Sequence, residues 1–181
     1  MCVAHFFCQK YQMLAQGLIF PTNKFTQSSP MNVIKGDLIL LAKEGAFDVI
    51  AHGCNCQGNM GKGLAQHDTP DALPGEIRGI VHPDGLIVVN AYTQILPGIP
   101  QGLAAALSPI DGYKKPFFDT QENRYEFLRY CMQGMNLYFP GKRLGLPMIG
   151  AGLAGGDWKR IQPIIEEEIT DMELTIVMYK K

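Results

Sequence analysis

Two glycine-rich stretches, each directly behind a short apolar, β-branched run, constrain this chain more than any other feature. The first is "FDVIAHGCNCQGNMGKGLAQ", residues 47–66; the second is "RLGLPMIGAGLAGGDW", residues 143–158. A strand that runs into a glycine loop and then a helical pattern is the repeating unit of a parallel sheet. In such sheets the loops gather at the carboxyl ends of the strands. Backbone N–H groups and a helix N-terminus then face one crevice, which suits phosphate. Glycine permits this because a Cβ would block close approach and because several loop positions want positive φ. Two such turns at equivalent places read as a cradle for a diphosphate, with plain tight connections as the alternative. No G-x-x-x-x-G-K-[ST] loop is present, because Leu64 follows Gly63.

The rest of the chain supports the same class. "MNVIKGDLI", "FDVIAHGC", "GLIVVNAYTQ", "RLGLPMIGAG" and the closing "ELTIVMYK" read as short buried strands. "NRYEFLRYCMQGMNLYF" carries Tyr125, Leu128, Met132 and Met135 at helical spacing. "IQPIIEEEI" reads as a helix with Pro163 in its first turn and acidic residues after it, where the helix dipole favours them. The alternation predicts an α/β fold with a mixed, mostly parallel sheet covered by helices on both faces. Residues 1–30 lack a clean period and end in the turn-rich "PTNKFTQSSP". They read as an irregular N-terminal extension, and residues 31–181 as the domain proper. A strand or helix added to one side of the fold is the alternative for the extension.

Bulk properties narrow the partners. The 181 residues suffice for one domain, and 46% hydrophobic against 18% charged residues indicates a globular chain. A formal charge of −1 offers no basic face for duplex nucleic acid, so an anionic ligand must be held by local groups. No apolar run approaches the roughly 20 residues of a membrane helix, and the N-terminus lacks the basic start of a signal peptide. The five cysteines, at 2, 8, 54, 56 and 131, form no disulfide framework, which points to a reducing cytoplasm. Cys54 and Cys56 are one residue apart, not the roughly two to four of structural zinc pairs, and no second pair follows. Neither a metal site nor a redox pair is expected, and no cofactor is called for.

Five segments in order, "VIKGDLI", "HGCNCQGNMGKGLA", "NAYTQ", "IGAGLAGGDW" and "TIVMYK", resemble a macro domain. The resemblance covers roughly residues 31–180. It is nearest the branch with fungal ADP-ribose 1''-phosphate phosphatases, terminal ADP-ribose protein glycohydrolases and related phage proteins. It implies a three-layer macro-domain fold and ADP-ribose or ADP-ribose 1''-phosphate as ligand, with ADP-ribosylated macromolecules as further partners. Asp37 would accept a hydrogen bond from the adenine amino group, which guanine replaces with a carbonyl, and Leu38 would line that pocket. Asn55 would hold distal-ribose hydroxyls. Gly61, Lys62, Gly63 and Leu64, with Gly150, Ala151, Gly152, Leu153 and Ala154, would wrap the diphosphate. Tyr179 would pack beside ribose or adenine. Each has a plainer alternative: a turn aspartate, an Asx-turn asparagine, a tyrosine at a strand end.

Catalysis is the finer expectation. The "H-x-C-N-C-x-G" pattern shared with the fungal phosphatases makes His52 the acid/base candidate, with Asn55 and Asn59 beside the distal ribose. A histidine of near-neutral pKa can protonate a leaving ribose oxygen or activate water; a strand histidine bonded to backbone is the alternative. Both glycohydrolase signatures are missing. Gln94 stands where the terminal enzymes carry a nucleophilic lysine, and an amide forms no Schiff base. Ala154 and Ala65 replace the catalytic aspartates of the two glycohydrolase types, and Asp157 is the nearby carboxylate. The segment "GLAQHDTPDALPGEI", with Pro70 and Pro74, leaves little room for the helix the family normally carries there. The function expected is ADP-ribose binding with hydrolysis of ADP-ribose 1''-phosphate. A reader module without chemistry and a de-ADP-ribosylating hydrolase are the alternatives. The oligomeric state stays open.

Overall fold

A computed structural model describes residues 3–4, 31–57, 72–100, 102–107 and 117–179. Its strands are β1 (Val3–Ala4), β2 (Asn32–Gly36), β3 (Val49–Asn55), β4 (Ile77–Val81), β5 (Ile87–Gln94), β6 (Gly102–Leu107), β7 (Phe117–Asp119), β8 (Arg143–Leu146) and β9 (Glu173–Tyr179). The helices are α1 (Leu38–Lys43), α2 (Gln121–Tyr138) and α3 (Trp158–Glu168). Seven strands form one sheet in the order β1-β4-β5-β3-β8-β9-β2, and β6 and β7 pair separately. The pairs β2–β9, β9–β8, β8–β3 and β3–β5 are parallel; β5–β4 and β4–β1 are antiparallel. This is the mixed, mostly parallel sheet that the alternation of elements predicts.

Period-two alternation along the strands divides the core into two layers. On β3, Val49 and Ala51 join Leu128, Met132, Met135, Ile161 and Ile165 of α2 and α3. Ile50 faces the other way, into a smaller cluster with Ala42, Phe47, Val88 and Val177 beside α1. Each fully buried Leu, Ile or Met removes apolar surface worth about 1.5–3 kcal/mol. The larger cluster therefore holds the two long helices to the sheet. α2 begins at Thr120, whose side chain accepts from the N–H of Asn123, and its apolar stripe is the one legible in the sequence.

Several local expectations change. "MNVIKGDLI" is not one strand: β2 ends at Gly36 and α1 starts at Leu38. The Asp37 carboxylate takes the N–H groups of Ile39 and Leu40, and this cap outweighs the β preference of the isoleucines. Pro163 lies inside α3 rather than in its first turn, because the helix starts at Trp158 behind an Asp157 cap. Glu166, Glu167 and Glu168 thus fall in the last turn, where the dipole does not favour them. Arg129 of α2 offsets this by pairing with Glu167 and Glu168. Val3–Ala4, in the segment read as irregular, pair with Ile80 and Gly79 of β4. β4, β6 and β7 were not anticipated, and β4 carries the sheet past β5 to its antiparallel edge.

Candidate ligand site

Parallel pairing brings the carboxyl ends of β2, β9, β8, β3 and β5 to one edge of the sheet. Asp37 follows β2 there. Both N–H groups it accepts, at 2.8 and 3.1 Å, go to Oδ1. Oδ2 makes no hydrogen bond among the described residues and is left for an outside donor. Tyr179 sits opposite Gly36 in the β2–β9 register and is 73% exposed, so it stands in the open at the strand end that Asp37 follows. Leu38 is half-buried, with its side chain over Gly145 near Phe47, inside the smaller core layer.

The loop from Pro147 to Asp157 forms the central wall. Gly150 has φ +75°, a conformation that a residue with a Cβ rarely adopts. A Cβ on Gly156 would come within 2.6 Å of the Gly150 carbonyl oxygen, so the loop closes on itself only with glycine there. The closing bonds run from Ile149 N to Pro147 O, Ala151 N to Met148 O, Gly155 N to Gly152 O and Gly156 N to Gly150 O. The N–H groups of Gly150, Gly152, Leu153 and Ala154 find no acceptor among the described residues. Gly152 has open space at its Cβ position, and Leu153 is 92% exposed. The loop therefore keeps a run of backbone donors without a described acceptor on a partly to fully exposed segment, and such donors are what an anion requires.

Asn55 ends β3, buried, and its Oδ1 accepts the Gln57 N–H at 3.1 Å, an Asx-turn. The His52 Nδ1 lies 3.7 Å from the Cys54 Sγ. A Cβ on Gly53 would meet Thr93 and Ile149, at the foot of the glycine loop. Neighbouring strand residues face opposite ways, so His52 projects from the face away from Ile149. Asn59, Gly61, Lys62, Gly63 and Leu64 lie outside the described residues. Among those described, no three His, Cys, Asp or Glu side chains converge as a metal ion would need.

Sequence reasoning missed Arg124. It is buried in the first turn of α2, paired with the fully buried Asp119 through Nε–Oδ1 (2.7 Å) and Nη2–Oδ2 (2.6 Å). Nη1 donates to the carbonyls of Gly98 and Ala154, and Nη2 to that of Leu96. A small cleft beneath the loop is lined by Arg124 with Thr93, Gln94, Gln121, Gly150 and Ala154. Gln94 donates to the Leu96 carbonyl at 3.0 Å, so it takes part in the same wall. The only sequence signal for Arg124 is a helix-face arginine five residues after an aspartate, which is too common to single out.

The chain is 30% identical over 156 residues to an uncharacterised 17.5 kDa protein from the tk-vs intergenic region of Enterobacteria phage T4, covering 80% of this chain and 93% of the relative. Among solved structures it resembles a protein of unknown function from Bacteroides thetaiotaomicron, with a TM-score of 0.54 and 25% identity over 84% of this chain and 99% of that one. The macrodomain of Thermus aquaticus DarG superposes with a TM-score of 0.51 and 20% identity, over 83% of this chain and 98% of that one. No family model matches the sequence.

Proposed function

We propose, from the macro-domain fold that this chain has and the family that it shares with the phage T4 protein, that it recognises ADP-ribose along the carboxyl edge of its sheet. Adenine lies at Asp37 and Tyr179, and the diphosphate lies over residues 150–154. The observation that supports this reading is the run of N–H groups without a described acceptor at Gly150, Gly152, Leu153 and Ala154, on the same edge as the unused Asp37 oxygen. An adenine amine can donate to that oxygen; the guanine carbonyl at the same position cannot. Calorimetric titration with ADP-ribose and with its guanine counterpart tests it. Binding of the first and at least tenfold weaker binding of the second are expected. Absence of ADP-ribose binding would refute the assignment.

A second reading adds hydrolysis of ADP-ribose 1''-phosphate to ADP-ribose and phosphate, with His52 as acid/base and Asn55 and Asn59 beside the distal ribose. The H-x-C-N-C-x-G pattern favours it. The direction of His52, away from Ile149, favours recognition without turnover. Phosphate release by the parent, reduced about 10²–10⁴-fold in His52→Ala with unchanged ADP-ribose affinity, would establish the chemistry. Equal turnover in the two proteins would remove His52 from it.

A further inference from the structure

We infer that the buried Arg124–Asp119 pair is the positioning element that sets the glycine loop against the segment after β5, and through it the affinity for diphosphate. The inference rests on the reading of residues 150–154 as the diphosphate wall.

A guanidinium has five N–H donors in a fixed fork, and here every one has a described acceptor. Nε and one Nη2 donor hold the two oxygens of Asp119; the other Nη2 donor holds Leu96 O; Nη1 holds Gly98 O at 2.6 Å and Ala154 O at 3.2 Å. Asp119 is fully buried, and its Oδ1 also accepts the N–H of Ile95. A group so fully engaged has no donor left for a ligand, so its effect on binding is indirect. What it joins is specific. Leu96 and Gly98 belong to the connection leaving β5, and Ala154 is the last residue of the loop after β8 whose N–H has no described acceptor. These segments meet again where Ile99 packs beside Gly155. The Ala154 carbonyl shares its peptide unit with the Gly155 N–H, which closes the loop on Gly152 O, so Arg124 holds the end of the loop that carries the free N–H groups. A site on loops needs such support to keep its donors within about 0.5 Å of the productive geometry.

Arg124→Lys keeps the charge opposite Asp119 but offers three donors for five acceptors, so at least two acceptors are released; with both Asp119 oxygens kept, these are two of the three carbonyls of Leu96, Gly98 and Ala154. The expected result is a cooperatively melting variant in which ADP-ribose affinity falls at least tenfold. Adenosine 5'-monophosphate, followed by NMR titration, should change less than threefold, because it engages the Asp37 end. Amide exchange at Gly155 and Gly156 should quicken at least tenfold while the middle of α2 stays protected. A merely structural pair would weaken both ligands together or loosen α2 as much as the loop, and either result overturns the inference. Unchanged ADP-ribose affinity and exchange in a folded variant would overturn it too. If the parent binds no ADP-ribose, the functional reading fails, and a link to affinity fails with it. Exchange then still decides whether Arg124 holds the loop. Should Arg124→Lys not fold, the paired change Asp119→Asn with Arg124→Gln leaves no unpaired charge and takes the same measurements. Failure of both to fold would show a requirement of the core instead.

Discussion

The two oxygens of the Asp37 carboxylate differ in what they hold. Oδ1 caps α1 through Ile39 and Leu40, whereas Oδ2 points to no described partner. The turn role considered for this residue and the adenine role implied by the family are therefore compatible. Substitution can divide them. Asp37→Ser retains a capping oxygen and loses the second acceptor, so stability should change by only a few tenths of a kcal/mol while ADP-ribose affinity falls about tenfold. Asp37→Ala should lose both, with about 1 kcal/mol of stability gone as well. Denaturant melts and calorimetry on the pair check this, and full ADP-ribose affinity in Asp37→Ser would dismiss the adenine contact. Asn55 is a comparable case, since its Asx-turn occupies the side-chain oxygen on which a ribose role would also draw.

Between elements, the opposite edge of the sheet is closed by a clamp with no part in the site. Arg143, opening β8, donates from Nη2 and Nε to Asp48 at 2.7 and 3.1 Å, and from Nη1 to the Gly45 carbonyl in the turn after α1. Its N–H also reaches Asp48, so four bonds tie the amino ends of β3 and β8 to that turn. The Arg143 side chain, then its backbone N–H, hold the Asp48 carboxyl at about 2 against an ordinary 3.8. The folded value is depressed, so the contribution is present above the unfolded pKa and is lost as pH falls from 3.8 through about 2. Both side chains are partly exposed, so solvent screens the pair and the effect is small. Asp48→Asn should lower Tm by about 1–4 °C at neutral pH, and the two melting curves should converge near the acid end of that window. A gap as wide in acid as at neutrality would rule out the ion pair as its source.

For the whole molecule, the core clusters among the described residues are built from residues at or after Met31, and Val3–Ala4 of β1 pair with the edge of β4. A chain beginning at Met31 should melt cooperatively and bind ADP-ribose as the full chain does; loss of the cooperative melt would place part of the core cover in residues 1–30. The sequence by itself determined the class of fold, because apolar period and glycine loops are local properties. Strand, loop and helix alternate visibly from Val33 to Tyr179, and the stripe of Tyr125, Leu128, Met132 and Met135 needs no partner to be read. Local competition was harder to see: the Asp37 cap ended a strand that composition alone would have extended. Arg124 was out of reach altogether. Its carbonyl partners Gly98, Leu96 and Ala154 lie 26, 28 and 30 residues away, and a backbone acceptor leaves no mark in the sequence. Only the tertiary structure decided that meeting, because burying a guanidinium requires a separate acceptor for each donor, and the folded chain alone assembles all five.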